Sequence, residues 1–344
     1  KIICKDYPKP ACPPKDPNEK GVVNDKFIKP NETLTYTVHF ENIGTVEALD
    51  VFVNDTLDSN LDTSTLEVLT PNNTFIPLPQ NIEVILLERN KTRNQTIGNI
   101  TVNITIEEKW TATLQDRKIS WRLLGIELQP NATENLLFSI KPISGLPSGT
   151  EIYNNATIQF EIFENITTNN TINIIDDIKP ACAMNALKNI TLVSADKKFN
   201  ISWNGSDNVG EIESYTIFSS VNSSGFSFLI NNTIDTEFNF TADVGKNYSF
   251  ICIAKDTAGN VEIQEPIAET STTVKLCGDV NSDTKVNLQD IVYLVNYIFK
   301  GGPAPKPIKS VGDVNHDRKV NLQDIIYLVN YLFKGGTKPC ASVI

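Results

Sequence analysis

Two stretches of this 344-residue sequence place oxygen-bearing side chains at loop positions 1, 3, 5, 9 and 12. In the first they are Asp279, Asn281, Asp283, Asn287 and Asp290; in the second, Asp313, Asn315, Asp317, Asn321 and Asp324. This spacing suits calcium. The chain turns back over the ion, alternate early residues point inward, and a carboxylate at position 12 closes the oxygen shell. Position 7, Lys285 or Lys319, would add its backbone carbonyl. Position 6 is commonly glycine because the turn needs a left-handed backbone. Here it is Thr284 and Arg318, at an expected cost on the order of 1 kcal/mol per loop. The chemistry predicted is the binding of two calcium ions.

Each loop must be followed by an element that holds position 12. Ile291, Leu294, Val295, Ile298 and Phe299 recur at helical spacing after the first loop, and Ile325, Leu328, Val329, Leu332 and Phe333 after the second. Gly301-Gly302 and Gly335-Gly336 stop these helices. No entering helix is predicted: Thr272 to Leu276 is β-leaning, and Gly301 to Ser310 holds Pro303, Pro305 and Pro307. The unit is therefore half an EF-hand, written once from Gly278 to Gly302 and again from Gly312 to Gly336.

Residues 277–340, with their two ordered copies, resemble a type I dockerin module. The resemblance implies a cohesin-like protein partner, contacted through positions 10 and 11 and the following helix. Carried onto this sequence, those positions are Leu288, Gln289, Val292 and Asn296 in the first copy and Leu322, Gln323, Ile326 and Asn330 in the second. The near-identity of the two sets allows either helix to face the partner. Read as residues alone, Leu288 and Leu322 could equally pack inside the module.

The formal net charge of −11 argues against nucleic acid as a partner. No apolar run is long enough for a membrane span. Asn-X-Ser/Thr sequons occur at Asn31, Asn54, Asn72, Asn90, Asn94, Asn99, Asn103, Asn131, Asn155, Asn165, Asn169, Asn189, Asn200, Asn204, Asn222, Asn231, Asn239 and Asn247, and none lies in the repeat region. N-linked glycans over the body and a bare tail are expected. Six cysteines fit an oxidising compartment, extracellular or at the cell surface. Their positions suggest the pairs Cys4–Cys12, Cys182–Cys252 and Cys277–Cys340.

Upstream of the repeats the periodicity is two. Leu34, Tyr36, Val38 and Phe40 share a face; so do Leu49, Val51 and Val53; then Ile119, Trp121 and Leu123; then Phe138 and Ile140; then Ile152, Ala156, Ile158, Phe160 and Ile162. These runs read as an antiparallel sandwich. Asp16-Pro17-Asn18-Glu19-Lys20, Leu34 to Asn42 and Gly145 to Ile152 resemble a secreted repeat domain of uncharacterised function. Phe199 to Trp203, Ser214 to Ile217 and Tyr248 to Asn260 resemble a fibronectin type III-like or immunoglobulin-like domain, with Trp203 in its core and Cys252 pointing inward. Asp256 and Asn260 could bind an ion or close a hairpin.

The expected chain is mainly β: a Cys/Pro-rich arm (1–20), two antiparallel β-sandwich domains (21–178 and 179–275), and a small α-helical dockerin-like domain with two calcium loop–helix repeats (276–344). No hydrolase, phosphate-binding or metal-catalysis motif appears. The sequence thus predicts a non-catalytic, glycosylated extracellular assembly protein, a subunit of a fibre or surface assembly whose partner is an identical subunit. Two alternatives stand beside it: docking on a separate cohesin scaffold, and a carbohydrate-binding accessory part of a larger secreted enzyme. Contacts are expected in the sequon-free regions 1–30 and 248–344, with Ile2, Ile3 and Val22-Val23 adding to a neighbour's sheet edge.

Overall fold

The structure, a computed structural model, describes residues 18–97 and 100–340. The chain divides into two compact units that meet in sequence at Asp177 and Ile178.

The first unit is built of β1 (Glu19–Val22), β2 (Phe27–Ile28), β3 (Leu34–Glu41), β4 (Val51–Thr56), β5 (Leu61–Leu69), β6 (Phe75–Pro77) and β7 (Glu83–Ile97). It continues with β8 (Ile100–Gln115), β9 (Lys118–Leu124), β10 (Thr133–Pro142), β11 (Glu151–Asn154), β12 (Ala156–Phe160), β13 (Ile166–Thr167) and β14 (Thr171–Ile175). One sheet runs β1-β3-β10-β5-β6 and the other β13-β12-β4-β9-β8-β7, with a small β11-β14-β2 sheet beside them. Alternate residues turn inward because the strand period is two. Tyr36, Val38, Phe40 and Phe138 from the first sheet meet Val53, Trp121, Ile158 and Phe160 from the second in one buried core. Trp121 tilts onto Phe138 at 5.9 Å, and Phe40 stands edge-on to Phe160 at 6.3 Å.

Five details differ from what the sequence predicts. Leu49 is exposed, because it precedes β4 and does not share the face of Val51 and Val53. Ile162 is exposed because β12 ends at Phe160 and the chain turns there. Val22 is already paired with Tyr36 across β1–β3, and the Val23 amide donates to the Thr35 carbonyl, so this segment adds to its own sheet. β1 also straddles residue 20, where the expected arm would end. Ile2, Ile3 and the Cys4–Cys12 pair lie outside the described residues. The β7–β8 hairpin, register-paired from Glu83–Thr113 to Ile97–Ile100, was not anticipated, although Gly98-Asn99 between two alternating runs is a hairpin signal.

The second unit has β15 (Ala181–Met184), β16 (Ile190–Val193), β17 (Lys198–Ser206), β18 (Ile212–Val221), β19 (Ser227–Thr233), β20 (Glu237–Thr241), β21 (Asn247–Asp256) and β22 (Thr270–Leu276), then α1 (Leu288–Lys300) and α2 (Leu322–Lys334). Its sheets run β15-β17-β20 and β16-β22-β21-β18-β19. Between them lie Trp203, Ile217, Phe240, Phe250 and the Cys182–Cys252 disulfide. Beside that bridge, the Glu262 carboxylate accepts from the Cys182 and Ala254 amides, and Glu269 from the Met184 and Cys252 amides. Four strand N–H groups are thereby satisfied where the two sheets abut. Asp256 closes a turn: its two oxygens accept from the Asn260 backbone and side-chain N–H groups at 2.7 and 2.9 Å.

The helices have their own core of Val280, Ile291, Leu294, Val311, Val314, Ile325 and Leu328, tied at its ends by Cys277–Cys340. The two repeats embrace. A side chain on Gly278 would meet Leu328 of α2, and one on Gly312 would meet Leu294 of α1, so each loop entry lies under the other repeat's helix. The core continues into the sandwich through Leu192, and Lys338 pairs with Asp196.

Candidate calcium and docking site

In each loop the acidic side chains are organised by backbone amides. Asp290 Oδ1 accepts from the Val280 amide and Oδ2 from the Asn287 amide, both at 2.9 Å; Asp324 repeats this with Val314 and Asn321. Asn287 and Asn321 are also the N-caps of α1 and α2, and with Asp290 and Asp324 they form reciprocal capping boxes. One pair of residues thus starts the helix and sets position 12 of the loop. Asp279 Oδ2 accepts from Thr284 and Asp313 Oδ2 from Arg318, each at 2.9 Å. Asn281 and Asn315 accept from the amides of Asp283 and Asp317, which in turn accept from Lys285 and Lys319.

The backbone is left-handed where expected, at Thr284 (φ 71°) and Arg318 (φ 66°), and additionally at Ser282 (φ 63°) and His316 (φ 61°). Four non-glycine residues in that region mark loops held by their surroundings.

The electrostatics fit a cation. Asp290 and Asp324 are fully buried, and Asp279 and Asp313 nearly so. Burial pushes the carboxyls of Asp279, Asp290 and Asp324 above the usual range, opposed by the amides that bind them. Asp317, outside that shelter, is held low by the Lys319 amide. Asp313 Oδ1 is buried with no hydrogen-bond partner among the described residues. An all-oxygen donor set, with buried carboxylates and an orphaned oxygen, matches a hard divalent ion.

The helix faces divide. Ile291, Leu294, Ile325 and Leu328 are buried, and Val295, Ile298, Val329 and Leu332 are half-buried. Leu288 is 57 % exposed and Leu322 50 %, so packing inside the module does not account for them. Val292 and Ile326 are exposed one turn on. Gln289 and Gln323 are exposed beside them, and Asn296 and Asn330 are half-buried. Phe299 and Phe333, expected on the packed face, are 60 and 64 % exposed. The helical angle explains this: Phe299 falls under Leu288 and Val292, three turns along, and not under Leu294. Each helix therefore carries an outward apolar stripe, Leu288–Val292–Phe299 or Leu322–Ile326–Phe333.

Fifteen of the eighteen sequon asparagines are exposed. Asn54 and Asn247 are half-buried, and Asn99 lies outside the described residues. No helix among the described residues is long and apolar enough to cross a membrane.

Residues 277–335 match the family described as Dockerin type I domain, and this region is a type I dockerin domain. Residues 16–85 and 80–174 match a Domain of unknown function (DUF7619). A comparison with curated proteins finds no match. Among solved structures, the fibronectin(III)-like modules of Clostridium thermocellum CbhA are similar at 12 % identity, over 75 % of this chain and 94 % of that one, with a TM-score of 0.27. BcpA, the major pilin subunit of Bacillus cereus, gives 13 % identity over 76 and 69 % of the two chains, with a TM-score of 0.31. A collagen-binding domain from a Staphylococcus aureus adhesin gives 10 % identity over 46 and 97 %, with a TM-score of 0.24.

Proposed function

We propose that this chain is an extracellular docking protein whose C-terminal module binds two calcium ions and uses the exposed helix stripes to hold a cohesin-like partner. The observation that carries this is the duplicated stripe of Leu288, Val292 and Phe299 and of Leu322, Ile326 and Phe333, left open on helices whose other face is packed. Exposed apolar rows on a rigid helix are recognition surfaces. The ions would be held by Asp279, Asn281, Asp283, Asn287 and Asp290, and by Asp313, Asn315, Asp317, Asn321 and Asp324, with the carbonyls of Lys285 and Lys319. They neutralise carboxylates that otherwise repel, and so fix the start of each helix. The sandwich domains act as a glycan-bearing spacer. The exposure of most sequons, the disulfides and the sequon-free module support that division.

Calorimetric titration of the full chain with a type I cohesin module, in calcium and in excess chelator, tests this. Saturable binding in calcium, lost on chelation, is expected. Absence of binding in calcium to a panel of such modules would remove the docking reading.

A further inference from the structure

The core of the first sandwich contains three polar side chains that apolar packing does not explain. Lys20, on edge strand β1, is buried, and its Nζ forms an ion pair with the buried Asp55 of β4 on the opposite sheet. That nitrogen lies 4.9 Å from the Tyr36 ring centre and 5.0 Å from that of Phe138. Asp55 is register-paired with Ala156 of β12, and Asn154 precedes Ala156 by two residues with its side chain also turned inward. Asn154 is 2 % exposed and close enough to Asp55 to favour its carboxylate, yet neither Oδ1 nor Nδ2 meets a hydrogen-bond partner among the described residues. Asp55 Oδ1 is likewise unpartnered. Buried amides are almost always hydrogen-bonded, and a lone buried ion pair is a poor source of stability.

The surroundings suit reaction better than stabilisation. Burial lowers Lys20 to about 8, and burial raises Asp55, so a neutral amine beside a protonated acid becomes accessible. A neutral amine is a nucleophile, and an amide carbon flanked by an acid is its acceptor. Lys20 is also held in place: the Asn169 side chain accepts from its backbone N–H and donates to its carbonyl, both at 2.8 Å. The other buried amide nearby, Asn173, is engaged, donating to the Asp25 carbonyl and accepting from the Tyr36 hydroxyl.

We propose that Lys20 and Asn154 become joined by an intramolecular isopeptide bond, formed by the folded domain itself with Asp55 as the acid–base. The Nζ lone pair attacks Asn154 Cγ, the Nζ–Cγ bond forms, and the Cγ–Nδ2 bond breaks. Asp55 takes a proton from Nζ and delivers one to Nδ2, which leaves as ammonia; Asp55 ends unchanged. Nothing is oxidised or reduced, and no co-reactant is needed. The product covalently ties edge strand β1, the first strand of the domain, to β11 of a different sheet.

The test is the intact mass of the full chain, made in a host that adds no N-glycans and fully reduced. Loss of one ammonia lowers the mass by about 17 Da. That deficit is expected, with a branched peptide containing Lys20 and Asn154 in the digest. Asp55→Ala, Lys20→Ala and Asn154→Ala should each restore the full sequence mass. A wild-type chain of full mass would overturn the proposal, with no appeal to variants that fail to fold. A deficit of about 18 Da with Lys20 joined to Asp55 would also overturn it, because water would then have left and Asp55 would be the acceptor. So would a deficit of about 17 Da that survives Asp55→Ala.

Discussion

The calcium module and the first sandwich both bury carboxylates, and they do so in opposite ways. In the module, Asp279, Asp290, Asp313 and Asp324 sit in short loops where backbone amides from the same few residues reach them. The remaining charge is left for an ion from solvent. In the sandwich, Asp55 meets a lysine from the opposite sheet, in a core of Tyr36, Phe138 and their neighbours. The first arrangement is local and repeated. The second is assembled across the fold and occurs once among the described residues. Within one chain, short-range backbone amides position the loop carboxylates, whereas the sandwich carboxylate takes its charged partner from across the fold.

Chelation should separate the two regions most strongly. Removing calcium should unfold the loop–helix repeats and leave the sandwiches intact, because on the proposed function the module alone relies on an ion to balance its carboxylates. Hydrogen exchange read by mass spectrometry should show α1 and α2 losing protection while β3, β9 and β10 keep theirs. Unchanged protection in α1 and α2 would break the comparison.

Next come the two carboxylates themselves. Asp55→Ala should destabilise the first sandwich by about 3–5 kcal/mol, since Lys20 Nζ is then left buried with neither a carboxylate beside it nor the proposed bond to Asn154. Denaturant melts that resolve the units would read it. Asp290→Ala should leave the sandwiches untouched and lower calcium stoichiometry from about two ions to about one, since position 12 closes the shell of its loop only. A calcium titration checks this, with two ions still bound as the contrary result.

The smallest effect concerns backbone strain. Thr284→Gly or Arg318→Gly should stabilise the calcium-loaded module by less than about 1 kcal/mol, because relief of the left-handed conformation is partly offset by the greater freedom of glycine in the unfolded chain. Thr284 should gain less than its φ alone suggests, since its hydroxyl donates to the Asp283 carbonyl at 2.6 Å.

Legibility in the sequence followed the same divide. The left-handed loop positions, the helices and their glycine stops are legible because every constraint acts within about a dozen residues, and the repeat states them twice. The sandwich faces were readable from period two, except at strand ends: Leu49 and Ile162 kept the alternation after the strand had stopped. Phe299 and Phe333 depart from the packed face because a wide apolar arc on a helix hides two faces, one packed and one open. The Lys20–Asp55–Asn154 cluster left only a faint sign, the continuation of the inward row Val51, Val53 to Asp55. Lys20 and Asn154 approach it from strands far apart in sequence, and no spacing rule spans that distance.

On the proposed function, the two stripes are equivalent docking faces on calcium-organised helices. Affinity for one type I cohesin module, measured on chains carrying Leu288→Asp with Val292→Asp, Leu322→Asp with Ile326→Asp, or all four changes, tests it most directly. Either single-face variant should lose about twofold, the statistical factor for two equivalent sites. The four-fold variant should lose more than about a hundredfold, as expected when a central apolar anchor is removed, with calcium stoichiometry unchanged. Full affinity in the chain lacking both stripes would contradict the claim.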